Sequence, residues 1–408
     1  MTPTIRLLSA VVASLLALPA PGASAAEGGE DFAATKGSAL EAQLHERVKA
    51  HVRTIPGTDT QYFIGGYVQL DAIASRKAQD GDEQNTFFAS ATPFGPADSD
   101  ARLSARQSQI NWVSRTPTSA GHVWTRLEAN LFPLDGTTAP TLNQLFVRLD
   151  DWVVVGKTYS TFMDDGILPT TLDYNGPGGV TFVRQWLARG SIPLGAGWTL
   201  QAAVEESQAD LQAGGAALSV RTDARRPDLA ARVRYEGDFG HLQLSALSRR
   251  IGVSVETSQG SRERAVDGSG VSLSGSLNTP GEGTLTWQAV TGTGVGRYFN
   301  DPISATGLAL GSDRRLELVR TSGATLYYQH KWAPEWMSVV GASTLWMSDE
   351  GRPSEALRRI VYASANLVHR LTPTVIVGGE VLWGQATQVG GESATNARVQ
   401  FSLRYLIF

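Results

Sequence analysis

Arginines spaced at even intervals are the residues of this chain best suited to act on a solute. Arg106, Arg126, Arg148, Arg184, Arg189, Arg232, Arg234, Arg320, Arg398 and Arg404 all fall in stretches where polar and apolar residues alternate. Only Glu128, Glu205, Glu317 and Glu380 share those stretches, so the polar face is expected to be net positive. A guanidinium facing lipid near the bilayer centre costs roughly 2–4 kcal/mol, which turns such a face toward water. Positive charge lining a narrow, low-dielectric passage raises the local concentration of anions. The competing reading is that the arginines pair with loop carboxylates and only brace the fold.

Other chemistries lack their residues. The six histidines, at positions 45, 51, 122, 241, 330 and 369, show no paired metal-ligand spacing, and neither G-x-S-x-G nor a Gly-rich phosphate loop occurs. The absence of Cys excludes thiol catalysis, thiolate metal sites and disulfides. No catalytic residue, metal or cofactor is therefore expected. With 35 Lys plus Arg against 39 Asp plus Glu, the net charge of −4 is no nucleic-acid footprint. A lipase-like barrel enzyme and a non-conducting structural barrel remain as alternatives.

The elements that would position the arginines are strands. Met1 to Ala26 combine Arg6, an apolar run from Leu7 to Ala20 and small residues at the end, the order of a cleaved signal peptide. A segment over 27–60 follows, with a capping box at Ser38 to Glu41 and a short amphipathic helix marked by Leu40, Leu44, Val48 and Val52. Over 61–408 the period becomes two: Val68, Leu70 and Ala72 alternate with Gln69 and Asp71, and Val399, Phe401, Leu403 and Tyr405 alternate with Arg398, Gln400, Ser402 and Arg404.

Breakers divide this region into sixteen strands, near 62–75, 102–115, 122–132, 143–150, 152–160, 182–191, 198–208, 229–237, 241–253, 269–278, 284–295, 316–331, 336–347, 357–368, 374–386 and 397–408. Short turns such as Asp150-Asp151 and Asp238–Gly240 alternate with longer polar loops, the asymmetry of an outer-membrane barrel. The expected fold is all-β, a transmembrane antiparallel up-and-down barrel closed in lipid. Phe408 ends the chain with an aromatic residue of the kind read by the barrel-insertion machinery, although it falls out of phase with its strand. The third long loop, Thr161 to Thr181, mixes turn formers with Asp164, Asp165 and Asp173. Folded inward, it would set acids against the arginine wall.

Several motifs together resemble the DcaP-like porins: Gly66-Tyr67-Val68-Gln69-Leu70-Asp71, Ala105-Arg106-Gln107-Ser108, Val155-Gly156-Lys157-Thr158-Tyr159 and Leu172-Asp173-Tyr174-Asn175-Gly176-Pro177. The resemblance covers residues 61–190. It implies a homotrimer of sixteen-stranded barrels, preceded by a coiled coil, that admits small anionic solutes such as dicarboxylates. By position it sets Arg106, Lys157, Asp164, Asp173 and Arg184 at or near the constriction, beside Arg126, Arg148, Arg232 and Arg234 on the wall. Gln109 stands where the motif has Arg, which removes one charge.

Overall fold

The computed structural model describes residues 51–79, 87–133, 138–208, 211–213, 220–223, 226–257, 260–301, 307–310 and 316–407. The expected signal peptide and amphipathic helix lie outside them, apart from the helix's last residues. At their edge His51 is helical, and Arg53–Thr54 then pairs as a short strand with Gln61 and Tyr62.

Sixteen antiparallel strands close on themselves. They are β1 (Gln61–Ser75), β2 (Asp100–Ser104 continued by Gln109–Thr118), β3 (Gly121–Asn130), β4 (Thr141–Leu149), β5 (Val153–Tyr159), β6 (Arg184–Gly195), β7 (Trp198–Glu205) and β8 (Asp228–Gly237). The second half holds β9 (Gly240–Thr257), β10 (Gly260–Thr279), β11 (Gly283–Thr293), β12 (Arg320–Ala333), β13 (Trp336–Met347), β14 (Leu357–Arg370), β15 (Val375–Gln388) and β16 (Ser393–Ile407). β16 pairs with β1 from Gly66↔Ile407 to Ser75↔Arg398, so the barrel has no open edge. The β9–β10 ladder runs on to Thr257↔Gly260, where the sequence reads as loop. A separate small sheet joins Leu211–Ala213, Leu308–Leu310 and Leu316–Leu318, and it takes Glu317 out of the barrel wall.

Alternation decides which side chains face out. Val399, Phe401, Leu403 and Tyr405 are exposed on the outer surface, while Arg398 and Gln400 are 1% exposed inside. Trp198, Phe239, Trp332 and Trp336 mark the outer surface near the short turns, and Trp186, Trp346 and Trp383 mark it toward the long loops. Between those two rows the outward residues are mainly aliphatic, among them Leu244, Leu326, Val340 and Val381.

Candidate functional site

At Tyr159 the chain leaves β5, and it rejoins the wall at Arg184; the segment between them crosses the interior. Its first anchor is Glu205 on β7, which accepts hydrogen bonds from Ser160 Oγ at 2.6 Å and the Thr161 N–H at 2.7 Å. The Met163 carbonyl then accepts from Arg232 and Gln243, each at 3.0 Å. Asp164 accepts from Arg234 Nη1 at 2.8 Å and Ser274 Oγ at 2.7 Å, and it faces His241 Nε2 at 2.8 Å.

The far anchor is Glu380 on β15, which accepts from the N–H groups of Leu172 at 2.9 Å and Asp173 at 2.7 Å. Tyr362 donates to Asp173 at 3.2 Å, and Gln400 donates to the Leu172 carbonyl at 2.7 Å. β7 and β8 lie about half the strand order away from β15 and β16. The loop therefore spans the lumen.

A second connection reinforces it. The Phe182 N–H donates to the Tyr298 carbonyl at 2.9 Å, and Asn300 donates to Val180 at 2.8 Å. Tyr298 itself donates to Asp228 at 2.8 Å, and Asp228 pairs with Arg249 at 3.2 Å. Where the loop meets the wall the backbones touch: a Cβ on Gly323 would lie 2.2 Å from the Gly179 carbonyl oxygen, so only glycine permits that approach.

Three cavities border the loop, one of them a space of about 540 Å³ along Gly166, Leu168, Arg234 and His241. On the short-turn side a space of about 460 Å³ is lined by Arg126, Arg148, Arg189, Arg232 and Arg234, with Asp165 facing them from the loop. On the long-loop side a space of about 730 Å³ is lined by Phe132, Tyr174, Phe182, Arg184 and Arg297.

The structure brings four of the expected wall residues together in the smallest cavity. Arg126 pairs with Glu128 at 2.8 Å, and Arg148 lies 5.1 Å from the centre of the Trp124 ring and 3.3 Å from Asp151. Arg232 and Arg234 are shared between the cavity and the loop tip. Arg184 sits on the other side, over Phe182 at 4.9 Å.

One expectation is corrected, and three other residues take more specific places. Arg106 lies in the break between the two parts of β2, 3% exposed and 4.3 Å from the centre of the Phe132 ring, and it lines none of the three cavities. Lys157 pairs in register with Leu145 and Trp186, both exposed outside, while its neighbour Thr158 bonds to Gln144 inside. Its backbone register lies on the outward row, yet Lys157 also borders the long-loop cavity beside Arg184, with Nζ donating to the Leu142 carbonyl at 2.8 Å. Asp164 and Asp173 lie in the crossing loop, 0% and 2% exposed, and tether it to Arg234 and Arg398, while Asp165 is the loop acid that lines the smallest cavity.

Sequence reasoning read Glu205 and Glu380 as wall charges, although both serve as loop clasps. It also set aside His241. Alternation with Gln243 and Ser245 could have put His241 on the inner row, and its register partner Ser276 binds Nδ1 at 2.8 Å. Asp164, His241 and Ser276 thus form one line of hydrogen bonds that ends at the loop tip. No group of metal-ligating side chains occurs among the described residues.

Burial pushes the Asp164 carboxyl up, but the His241 hydrogen bond and the Arg234 charge outweigh it and hold Asp164 well below the usual carboxylate range. A depressed folded-state value means that the tether contributes fully above the ordinary carboxylate value. That contribution is lost only as pH falls through the lower folded value. The difference in current noise between the parent and an Asp164→Asn channel is expected to persist from neutral pH to about pH 4 and to vanish only in stronger acid. Loss of the difference at pH 5 to 6 would show that Asp164 does not hold the tip.

No family model matches the chain, and no curated protein matches it. Solved structures do. The outer membrane channel DcaP of Acinetobacter baumannii superposes with a TM-score of 0.74 at 15% identity, covering 87% of this chain and 99% of that one. An anion-selective porin from Comamonas acidovorans gives a TM-score of 0.54 at 13% identity, covering 85% and 99% of the two chains. OmpF of Salmonella typhi gives 0.51 at 8% identity, covering 86% and 99%. The chain shares the porin fold, and its likeness in fold to DcaP runs over the whole barrel.

Proposed function

We propose that the chain is an outer-membrane porin for passive diffusion of small, preferentially anionic solutes, dicarboxylates among them. A closed ladder satisfies every strand's backbone, and the outward aliphatic belt between two aromatic rows fits a bilayer. Export by a cleaved signal peptide and assembly as a homotrimer belong to the same reading, the second by resemblance to the DcaP-like porins. The Comamonas neighbour is an anion-selective porin, which points the same way.

The observation that carries the anionic preference is a pair of side chains. Arg189 and Arg232 border the cavity beneath the loop, and neither has a carboxylate within ion-pair distance among the described residues. Each bonds instead to neutral groups: Arg189 to the Tyr159 carbonyl at 3.4 Å, Arg232 to the Met163 carbonyl and the Gln201 side chain. Their charge is left for mobile anions to balance.

In a planar bilayer under a KCl gradient, stepwise conductance with a reversal potential of anion-selective sign is expected. A cation-selective sign would overturn the preference, and the absence of steps would overturn the porin.

A further inference from the structure

We infer that the outer surface of β12, β13 and β14 carries, at its long-loop end, a binding site for a phosphate of an outer-leaflet glycolipid. The inference rests on the outer-membrane part of the reading above and concerns the outside of the wall, where no solute passes.

Strand register assembles the site. In β13 the even-numbered residues face out, Trp336, Val340 and Trp346 among them, while Val339, Leu345 and Met347 are buried inside. Trp346 pairs with Ser322 on β12 and with Arg359 on β14. Arg359 therefore stands outside, its guanidinium 5.4 Å from the centre of the Trp346 ring. Two residues from Ser322 toward the long loop comes Arg320, exposed on the same outward row and fixed by its backbone N–H, which donates to Ser348 Oγ at 3.1 Å. The two arginines flank β13, with Trp346 and Ser348 between them. Alternation thus turns Arg320 out of the barrel, although the sequence groups it with the arginines of the inner row.

Pairing sets these two apart from their neighbours. Arg250 is answered by Asp267 at 3.0 Å and Arg358 by Asp349 at 3.5 Å. Arg320 and Arg359 have no carboxylate within ion-pair distance among the described residues; Glu350, whose charge reaches Arg320, bonds to Ser348 instead. A free guanidinium binds phosphate through two parallel hydrogen bonds, and contact with the indole face limits how far Arg359 can swing away.

Depth selects a lipid over a free ion. Trp186, Trp346 and Trp383 form the aromatic row toward the long loops, and indole rings settle at the level of lipid headgroups. Arg359 is level with that row and Arg320 lies just above it. Below the row the surface is aliphatic, with Leu326 and Val340 exposed to acyl chains. A lipid therefore gains burial along the wall as well as charge at its headgroup, whereas a free phosphate gains only the second. Long loops mark the external side of an outer-membrane barrel, so the facing lipid is the phosphorylated glycolipid of that leaflet.

The test titrates the full chain in detergent with diphosphoryl lipid A and counts bound lipid by native mass spectrometry. Saturable binding is expected, weakened by about tenfold or more in Arg320→Gln/Arg359→Gln, the loss of at least one charge-assisted bond, and unchanged in Arg250→Gln. Lipid A stripped of its phosphates should bind the parent no better than the double variant. If the double variant does not fold, R320Q and R359Q singly carry the comparison, each with a several-fold loss.

Equal affinity of the parent and the arginine variants, or an equal loss in R250Q, overturns the site. Displacement of the lipid by millimolar inorganic phosphate also overturns it, in favour of a free-anion site, as does dissociation of an oligomer in the variants, which would make the patch a contact between copies. Conductance in bilayers free of lipid A separates the two claims. A chain that conducts but binds no lipid A loses the site and keeps the porin reading, whereas one that binds lipid A but shows no steps keeps the site and loses the porin.

Discussion

A channel carrying Arg189→Glu and Arg232→Glu is expected to move its KCl reversal potential through zero, from anion to cation preference. Each substitution changes the local charge by two units, and both positions border one cavity of about 460 Å³. At about 8 Å and an effective dielectric constant of about 20, one unit charge acts on a passing ion with about 2 kcal/mol. A four-unit change is several times larger than thermal energy, even after mobile salt screens part of it, so the sign should invert most clearly near 0.1 M or below. Arg250→Glu serves as the control. Arg250 pairs with Asp267 at 3.0 Å on an exposed stretch of β9, away from all three cavities, and the reversal potential should not move. An unchanged sign and magnitude in the double variant would show that ions do not travel past Arg189 and Arg232.

The barrel was legible because its signal is repetitive. A period-two pattern reports the side of the wall at every step, and all sixteen stretches marked by breakers became strands. Turn residues carried the connections: Gly195, Ala196 and Gly197 all take positive φ between β6 and β7, as a tight reversal requires. The same alternation puts Lys157 in register with the outward Leu145, yet the residue also borders the long-loop cavity, which periodicity alone does not announce.

The interior was harder to read, because partners far apart in sequence decide it. Nothing near Glu380 announces that it will receive the N–H groups of Leu172 and Asp173, more than two hundred residues earlier. Likewise a loop rich in Asp looks solvated, yet Asp164 and Asp173 are buried because Arg234, His241, Tyr362 and Arg398 wait inside the barrel. The two readings of the arginines, an anion-attracting wall and a brace, both hold, for different residues. Arg234 and Arg398 brace the loop by ion pairs, and Arg189 and Arg232 keep their charge for the passage.

Removing the loop's two clasps should change conduction without unfolding the wall. Glu205 accepts three hydrogen bonds, from Ser160, Thr161 and Gln185, and Glu380 accepts three, from Leu172, Asp173 and Asn366. In E205A/E380A the loop segment loses its two bonds to each carboxylate. At about 1.5–3 kcal/mol for each hydrogen bond to a charged group, each end of the crossing is weakened by about 3–6 kcal/mol. That is enough to let the segment leave its docked position for a measurable fraction of the time. The strand ladders do not depend on either carboxylate, since β7 and β15 keep their register partners on both sides. The expected result is a larger and noisier single-channel current, with new protease cleavage between residues 160 and 183, while the heat resistance of the barrel stays near that of the parent. Single variants should divide the effect, E380A freeing the Leu172–Asp173 half and E205A the Ser160–Thr161 half. If the double variant conducts as quietly as the parent and remains uncleaved, the loop is held by its other contacts, the Asp164 and Asp173 ion pairs among them, and the two glutamates are not its clasps.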